Sequence, residues 1–312
     1  MRKPGLTLSL IAALAVAVPA IAEAPATGGQ GRAVVTILPK KSHEQPVRIE
    51  ARDLQVKLNG GLSDVTGWTR LRGANSDLEV VVLIDDSAST GFGNQLGDIR
   101  EFLKGLPPET KTAVAYMQNG RAVMAGPMTT DHNAVAAELR VPSGMPGSNA
   151  SPYFCLSDLA RHWPSTDMMA RREVVMITDG VDEYGEPGDM QDPYVQASIH
   201  DAVKAGLVVY SIYWSDRGRY GSGGSSEFGQ SLMAQVTEAT GGATYYTGLM
   251  NPVSIQPYLK DIAWRMDNQY RLDFSASLKG KPEVQRMSFH AGGPAAKVVA
   301  PQQVYVSRNS GE

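Results

Sequence analysis

Leu78-Glu79-Val80-Val81-Val82-Leu83-Ile84 is an apolar run with almost no alternation, and it ends abruptly in Asp85-Asp86-Ser87-Ala88-Ser89. A strand with one wet face alternates polar and apolar residues, so a run of this kind predicts a strand covered on both faces. Comparable runs recur at 112–117 with 123–125, at 173–178, at 207–213 and at 243–246. Helical segments are predicted between them at 94–103, 131–139, 154–162, 193–205, 229–240 and 252–266. Gly206 and Gly241-Gly242 read as helix stops, and Pro252 after Asn251 as a first helical position. This rhythm predicts an α/β fold: a doubly wound, mostly parallel sheet with helices on both faces.

The flanks have a different texture. Ala33-Val34-Val35-Thr36-Ile37-Leu38, Tyr270-Arg271-Leu272-Asp273-Phe274 and Gln303-Val304-Tyr305-Val306 are short β-type pieces separated by Gly, Pro and Lys. Composition shifts at Gly73-Ala74-Asn75-Ser76 and again near Asn268, which divides the chain into a leader at 1–22, a β-rich flank at 23–76, the α/β domain at 77–267 and a second β-rich flank at 268–312. Because the two ends of an α/β domain can emerge close together, the flanks are expected to pair into one small β-sandwich module.

Arg2 and Lys3, the apolar stretch 6–18 and Ala20-Ile21-Ala22 have the layout of a cleavable secretory signal. The apolar stretch is shorter than the roughly 20 residues a spanning helix needs, so no transmembrane anchor is expected after cleavage. The expected destination is the periplasm or the extracellular space. Removing 1–22 takes two basic residues and no acid, moving the formal net charge from −3 to −5, a balance that excludes nucleic acid as a partner. Cys155 is the only cysteine, so no intrachain disulfide can form. Its distance from the leader excludes a lipid-bearing role, and a small buried hydrophobe is expected.

The spacing of Asp85, Ser87 and Ser89 lets a tight loop aim three oxygen-bearing side chains at one point beyond the strand. Oxygen-only donors suit a hard cation, magnesium before the alternatives manganese and calcium. A second strand, Val174-Val175-Met176-Ile177-Thr178, runs into Asp179-Gly180, and ligand sites of open α/β sheets lie outside the carboxyl ends of strands. Asp85-x-Ser87-x-Ser89 followed by Thr178-Asp179-Gly180 resembles the metal-ion-dependent adhesion site of the von Willebrand factor A family. That family's third element is a threonine in a Gly-rich loop before a helix. The corresponding loop here, Gly144-Met145-Pro146-Gly147-Ser148-Asn149-Ala150-Ser151-Pro152, contains none. Counting back from the helix with Leu156 and Leu159 favours Ser151, with Ser148 as the alternative. The resemblance implies that Ser87, Ser89 and Ser151 bind the ion directly while Asp85 and Asp179 hold waters. The ion then stays electrophilic and accepts an Asp or Glu from a partner protein, which makes the chain a binding protein rather than an enzyme. Asp86 is expected to point away from the ion.

Two further loops belong to the same edge. Residues 181–192 hold Asp182, Glu183, Glu186, Asp189 and Asp192 with no basic residue. Trp214, Arg217, Arg219 and Tyr220, of types favoured as interface anchors, are candidates for partner contact. Three other readings compete. A dinucleotide site at Gly91-Phe92-Gly93 is opposed by Asp85–Thr90 intervening after the strand, and by the absence of an acid after Ala115-Tyr116-Met117-Gln118-Asn119. A metal-assisted hydrolase lacks a base, since none of the five histidines falls in a catalytic motif. A structural domain with a degenerate metal site stays open through the serine that replaces threonine. The helix 252–266 adjoins the C-terminal flank with almost no linker and is expected to transmit ligand occupancy to it.

Overall fold

β1 (Thr27–Pro39), β2 (Leu54–Leu58), β3 (Gly61–Ser63) and β4 (Val65–Arg70) precede the unalternated run, which forms β5 (Leu78–Asp85) in the computed structural model. The structure describes residues 27–39, 49–73, 76–145, 147–182, 184–186, 188–214, 223–248, 250–278, 280–292 and 296–308. The segment read as a secretory signal lies outside them. Every residue of β5 is buried, with Val80, Val82 and Ile84 in one core and Val81 and Leu83 in another. That is the physical meaning of the missing alternation.

β6 (Lys111–Gln118) and β8 (Arg171–Thr178) flank β5 in parallel, and β9 (Leu207–Tyr213) and β10 (Ala243–Tyr245) continue the parallel run. β7 (Arg121–Met124) turns back antiparallel on β6 and closes the edge, for the order β10-β9-β8-β5-β6-β7. Side chains of α1 (Leu96–Gly105), α2 (His132–Ala137) and α6 (Gln256–Met266) pack on the Val80 face. Those of α3 (Pro152–Arg161), α4 (Pro193–Lys204) and α5 (Gly223–Thr240) pack on the Val81 face. Gly91-Phe92-Gly93 lies in a 3-10 turn over Thr90–Gln95, and its Phe92 is fully buried in the first core.

Two helix starts differ from expectation. α6 begins at Gln256 rather than Pro252, because its first amides are satisfied from α1 and the turn before it: Ile255 N donates to Gln95 Oε1 at 3.1 Å and Gln256 N to Asp98 Oδ2 at 3.1 Å. α5 begins before Gly229, which sits inside the helix as a point of close approach. A Cβ there would stand 2.2 Å from the Asp179 carbonyl oxygen.

The flanks do pair, as one sheet rather than the two facing layers of a sandwich. With β11 (Gln269–Leu278), β12 (Glu283–Ala291), β13 (Ala296–Val299) and β14 (Gln303–Arg308) they form an antiparallel sheet of order β3-β2-β12-β14-β1-β11-β4, with β13 also on β1. The 13-residue β1 is long enough to carry β11 on one side and both β14 and β13 on the other, so a single sheet accommodates all eight strands. Gly31 faces Phe274 across the ladder, and a Cβ on it would meet the ring at 2.4 Å. The sheet rolls until Trp68 of β4, stacked on Tyr270 at 4.6 Å, also reaches Phe289 of β12 at 6.0 Å.

This sheet joins the parallel one at the amino ends of its strands. Arg171 donates to the Met266 carbonyl at 2.7 Å and to Gln269 Oε1 at 2.6 Å, and Gln269 donates to Tyr210 Oη at 3.0 Å. The eight residues of β8 then put the seam about 25 Å from the opposite edge, where Asp85 and Thr178 end their strands.

Candidate metal centre

β5 and β8 are neighbours in parallel, so their carboxyl ends deliver Asp85 and Thr178 side by side. Asp85 is buried and both of its oxygens are engaged. Oδ1 accepts from the Ser87 amide at 2.9 Å and the Ser87 hydroxyl at 2.6 Å, while Oδ2 accepts from Thr178 Oγ1 at 2.7 Å and Asn149 Nδ2 at 3.0 Å. Burial pushes this carboxyl above its ordinary pKa, against the pull of those same donors. A hydroxyl that gives its proton to a carboxylate turns its lone pairs in other directions, and that orientation suits Ser87 to a cation.

Ser89 is half-buried one step further on. Its carbonyl accepts from Phe92 N at 2.9 Å, and its side chain takes no part in capping the short turn that follows. Asp179 lies across β8's end, half-buried, with Oδ1 accepting from Val181 N at 3.0 Å. Gly180 holds φ +71°, and a Cβ there would strike Met233 Sδ at 2.5 Å and the Gly229 carbonyl at 2.6 Å. Only glycine fits this turn, since both the conformation and the space exclude a side chain.

The loop before α3 supplies the remaining hydroxyls. It is pinned to the β6–β7 turn by Asn119 N to the Ser148 carbonyl at 2.7 Å and Gly120 N to the Asn149 carbonyl at 2.9 Å. Ala150 holds φ +64°, a left-handed conformation that costs about 1 kcal/mol or more for a residue with a Cβ. Ser151 then starts α3 as its N-cap, Oγ accepting from Tyr153 N at 3.2 Å, and is fully buried. Ser148 Oγ is also buried but has no hydrogen-bond partner. Tyr153 ties this loop to the Asp179 turn by donating to the Gly180 carbonyl at 2.8 Å.

Asp86 points away from the Asp85 side chain, and it too is buried. Arg140 meets its Oδ1 at 2.6 Å, Gln118 its Oδ2 at 2.7 Å and the Ser143 amide its Oδ1 at 3.0 Å. Burial raises this carboxyl, but Arg140, Gln118 and Ser143 outweigh it and hold the group below its ordinary range. Its role is to fasten the segment that leads into the serine loop. Cys155 is buried on α3 with its thiol pushed up by burial.

Asp85 and Ser87 touch, Asp179 follows Thr178, and Ser151 is tied to the same edge through Asn149 and Tyr153. Trp214 is not on the surface. It is 6% exposed, packed edge-on against Phe92 at 5.1 Å in the first core, because it continues the β9 ladder, its amide donating to the Thr178 carbonyl at 2.9 Å, and falls on the same face as Tyr210 and Ile212. Arg217, Arg219 and Tyr220 lie outside the described residues. Sequence reasoning missed Asn149, which no motif marks, and the hydroxyl of Thr178, which the Thr-Asp-Gly signature does mark. Among the described residues no group of three or more His, Cys, Asp or Glu is placed to hold a metal. The donors at this edge are hydroxyls backed by carboxylates, an all-oxygen set that fits a hard cation, and in the loop before α3 the Ser148 oxygen is buried without a partner.

No family model and no curated protein matches the chain. Among solved structures it is similar to an aerotolerance-related membrane protein from Bacteroides fragilis, at 16% identity and TM-score 0.46 over 61% of this chain and 98% of that one. It is similar to proximal thread matrix protein 1 of the mussel byssus, with a zinc-occupied MIDAS motif, at 11% identity and TM-score 0.44 over 64% of this chain and 48% of that one. A von Willebrand factor type A protein from Catenulispora acidiphila gives 9% identity and TM-score 0.42 over 90% and 74%. At these scores the likeness is distant, and the side chains of this chain carry the functional reading. The resemblance to von Willebrand factor A domains stands on Asp85-x-Ser87-x-Ser89, Thr178-Asp179-Gly180 and the strand order that brings them to one edge.

Proposed function

We propose that the chain is an exported binding protein, not an enzyme, that holds a divalent cation, magnesium foremost, at the carboxyl edge of its parallel sheet and captures a carboxylate of a partner protein there. One observation carries this reading: Asp85 orients donors with both of its oxygens, the Ser87 hydroxyl at 2.6 Å on one and Thr178 and Asn149 on the other. A buried acid used in this way positions hydroxyls rather than reacting. Ser87, Ser89 and a serine of the 147–151 loop would hold the ion directly, and Asp85 and Asp179 would hold its waters. When bound, the ion supplies a Lewis acid for the partner's Asp or Glu. The chain's own contribution is a fixed frame: Asp86 and Arg140 clamp one loop, and Tyr153 and Gly180 join the other two.

A second reading, a structural domain with a degenerate site, is favoured by Ser151, whose oxygen already caps α3. Magnesium titration by calorimetry separates the two. Wild type is expected to give a saturable heat that Asp85→Ala abolishes, and identical heats for both proteins would sink the metal reading. Capture of a carboxylate-bearing partner is then expected to vanish with a chelator.

A further inference from the structure

The loop 181–192 carries carboxylates that the centre above does not use. Asp182 is 6% exposed and Asp192 is fully buried. Each spends one oxygen on backbone amides: Asp182 Oδ1 accepts from Tyr184 N at 2.8 Å, and Asp192 Oδ1 accepts from Tyr194 N at 2.8 Å and Val195 N at 3.2 Å, capping α4. The other oxygen of each, Oδ2, is buried without a hydrogen-bond partner. The Ser151 hydroxyl and the Gly185 amide both lie near enough to lower the Asp182 carboxyl, yet neither meets Oδ2 in hydrogen-bond geometry. A buried carboxylate oxygen with no donor is among the costliest groups a fold can hold, and here there are two in one loop.

The two acids are neighbours. Burial raises the Asp182 carboxyl, the Tyr184 amide lowers it, and the charge of Asp192 raises it again. Burial likewise lifts the Tyr153 phenol far above its ordinary range, and the charges of Asp179, Asp182 and Asp192 add to the effect. No Lys, Arg or His occurs in 181–192 to balance them. A Cβ on Gly185 would lie 1.7 Å from Asp192 Oδ2, so the loop backbone crosses directly over that oxygen.

We propose that Asp182 and Asp192, with backbone oxygens of 184–186 and 188–191 and water, form a second cation site, one that takes calcium and pins this loop to the start of α4. Calcium accepts six to eight oxygens in irregular geometry, mixing carboxylates with carbonyls, whereas magnesium demands a near-ideal octahedron that a short loop rarely supplies. The site's two carboxylates are not among the ligands of the Asp85 centre, which Asp182 approaches only through Ser151. Its occupancy would also order an aromatic patch, since Tyr184 and Tyr194 follow the two acids and both rings lean on Phe154, at 5.4 and 4.9 Å.

Terbium is the probe, because it substitutes for calcium and tyrosines beside the site sensitise its emission. The full chain is expected to show tyrosine-sensitised emission that calcium displaces, and Asp85→Ala should retain it. Asp182→Asn and Asp192→Asn keep an acceptor for their amides, Asn being a good N-cap, and should each weaken calcium binding roughly tenfold or more. The magnesium heat assigned to Asp85 should survive in both. Emission and calcium heat unchanged in both Asn variants, or lost in Asp85→Ala, would overturn the proposal. So would a wild type that binds no calcium while the Asn variants gain stability at neutral pH, the result expected if the pair shares a proton instead.

Discussion

Ser151 has two demands on one oxygen. As N-cap it takes the Tyr153 amide, and a ligand role would need another lone pair of the same buried atom. Ser148, three residues earlier, has a buried oxygen with no such duty. Ser151→Ala is therefore expected to cost about 1 kcal/mol of stability through the lost cap. Ser148→Ala is expected to weaken magnesium roughly tenfold with little effect on stability. Denaturant titration and calorimetry on the two variants read the effects separately, and a larger affinity loss in Ser151→Ala would return the ligand role to that residue. At this scale Asp85, Ser87 and Asp179 were legible because a motif spells them. Asn149 was not, since its contact with Asp85 exists only once Ala150 takes its left-handed turn. Trp214 was misread for a related reason: its place just after a strand suggests the rim, while its burial depends on Phe92, more than 100 residues away in sequence.

Strands were easier to read than helix ends. A two-faced strand announces itself through uninterrupted Val, Leu and Ile, and β5, β8 and β9 fall close to their expected bounds. α6 has local start features in Pro257 and in Ser254, whose hydroxyl accepts from the Gln256 amide at 3.1 Å, but its first amides also bond to residues far away in sequence. Asp98 of α1 accepts from the Gln256 amide and from Ser254 Oγ at 2.6 Å, and Gln95 accepts from the Ile255 amide. The two helices are thus joined at their amino ends by hydrogen bonds as well as by apolar packing. Asp98→Ala is expected to lose about 1 kcal/mol, the value of a cap, and to speed amide exchange at 255–258 more than elsewhere. Uniform exchange across α1 and α6 in that variant would show that packing alone sets the start of α6.

Where the two sheets meet, a charge is buried. Glu173 is fully buried with neither oxygen in hydrogen-bond geometry, and Arg171 Nε stands 3.7 Å away. Burial pushes its carboxyl up to about 7, despite Arg171, Gln269 and Tyr210. The folded protein therefore holds a proton that the unfolded chain releases above its ordinary value near 4.5. The stabilising effect is complete below pH 4.5 and fades as pH rises toward 7, by an amount on the order of 3 kcal/mol. Glu173→Gln should match wild type at pH 5 and exceed it at pH 8. Equal melting temperatures at pH 8 would mean that Arg171 neutralises the charge in full. That the flanks would pair was readable from the position of the chain ends around an α/β domain. That they form one rolled sheet was not, because it depends on β1 holding partners from opposite ends of the C-terminal flank at once.

That arrangement sets an order of events. Gly29 of β1 sits opposite Arg308 of β14 and its next neighbour Gly28 opposite Ser277 of β11, so the first described strand finds its partners only among the last. A chain that emerges amino end first must keep β1 unpaired until nearly all of the rest has appeared, while the parallel sheet between can already close. Long-range pairing of this kind is slow and leaves a sheet edge open to other chains in the meantime. The molecule thus finishes folding at its seam rather than at the carboxyl edge of its parallel sheet, and a chain cut short before β14 would carry the proposed metal centre on an unfinished body.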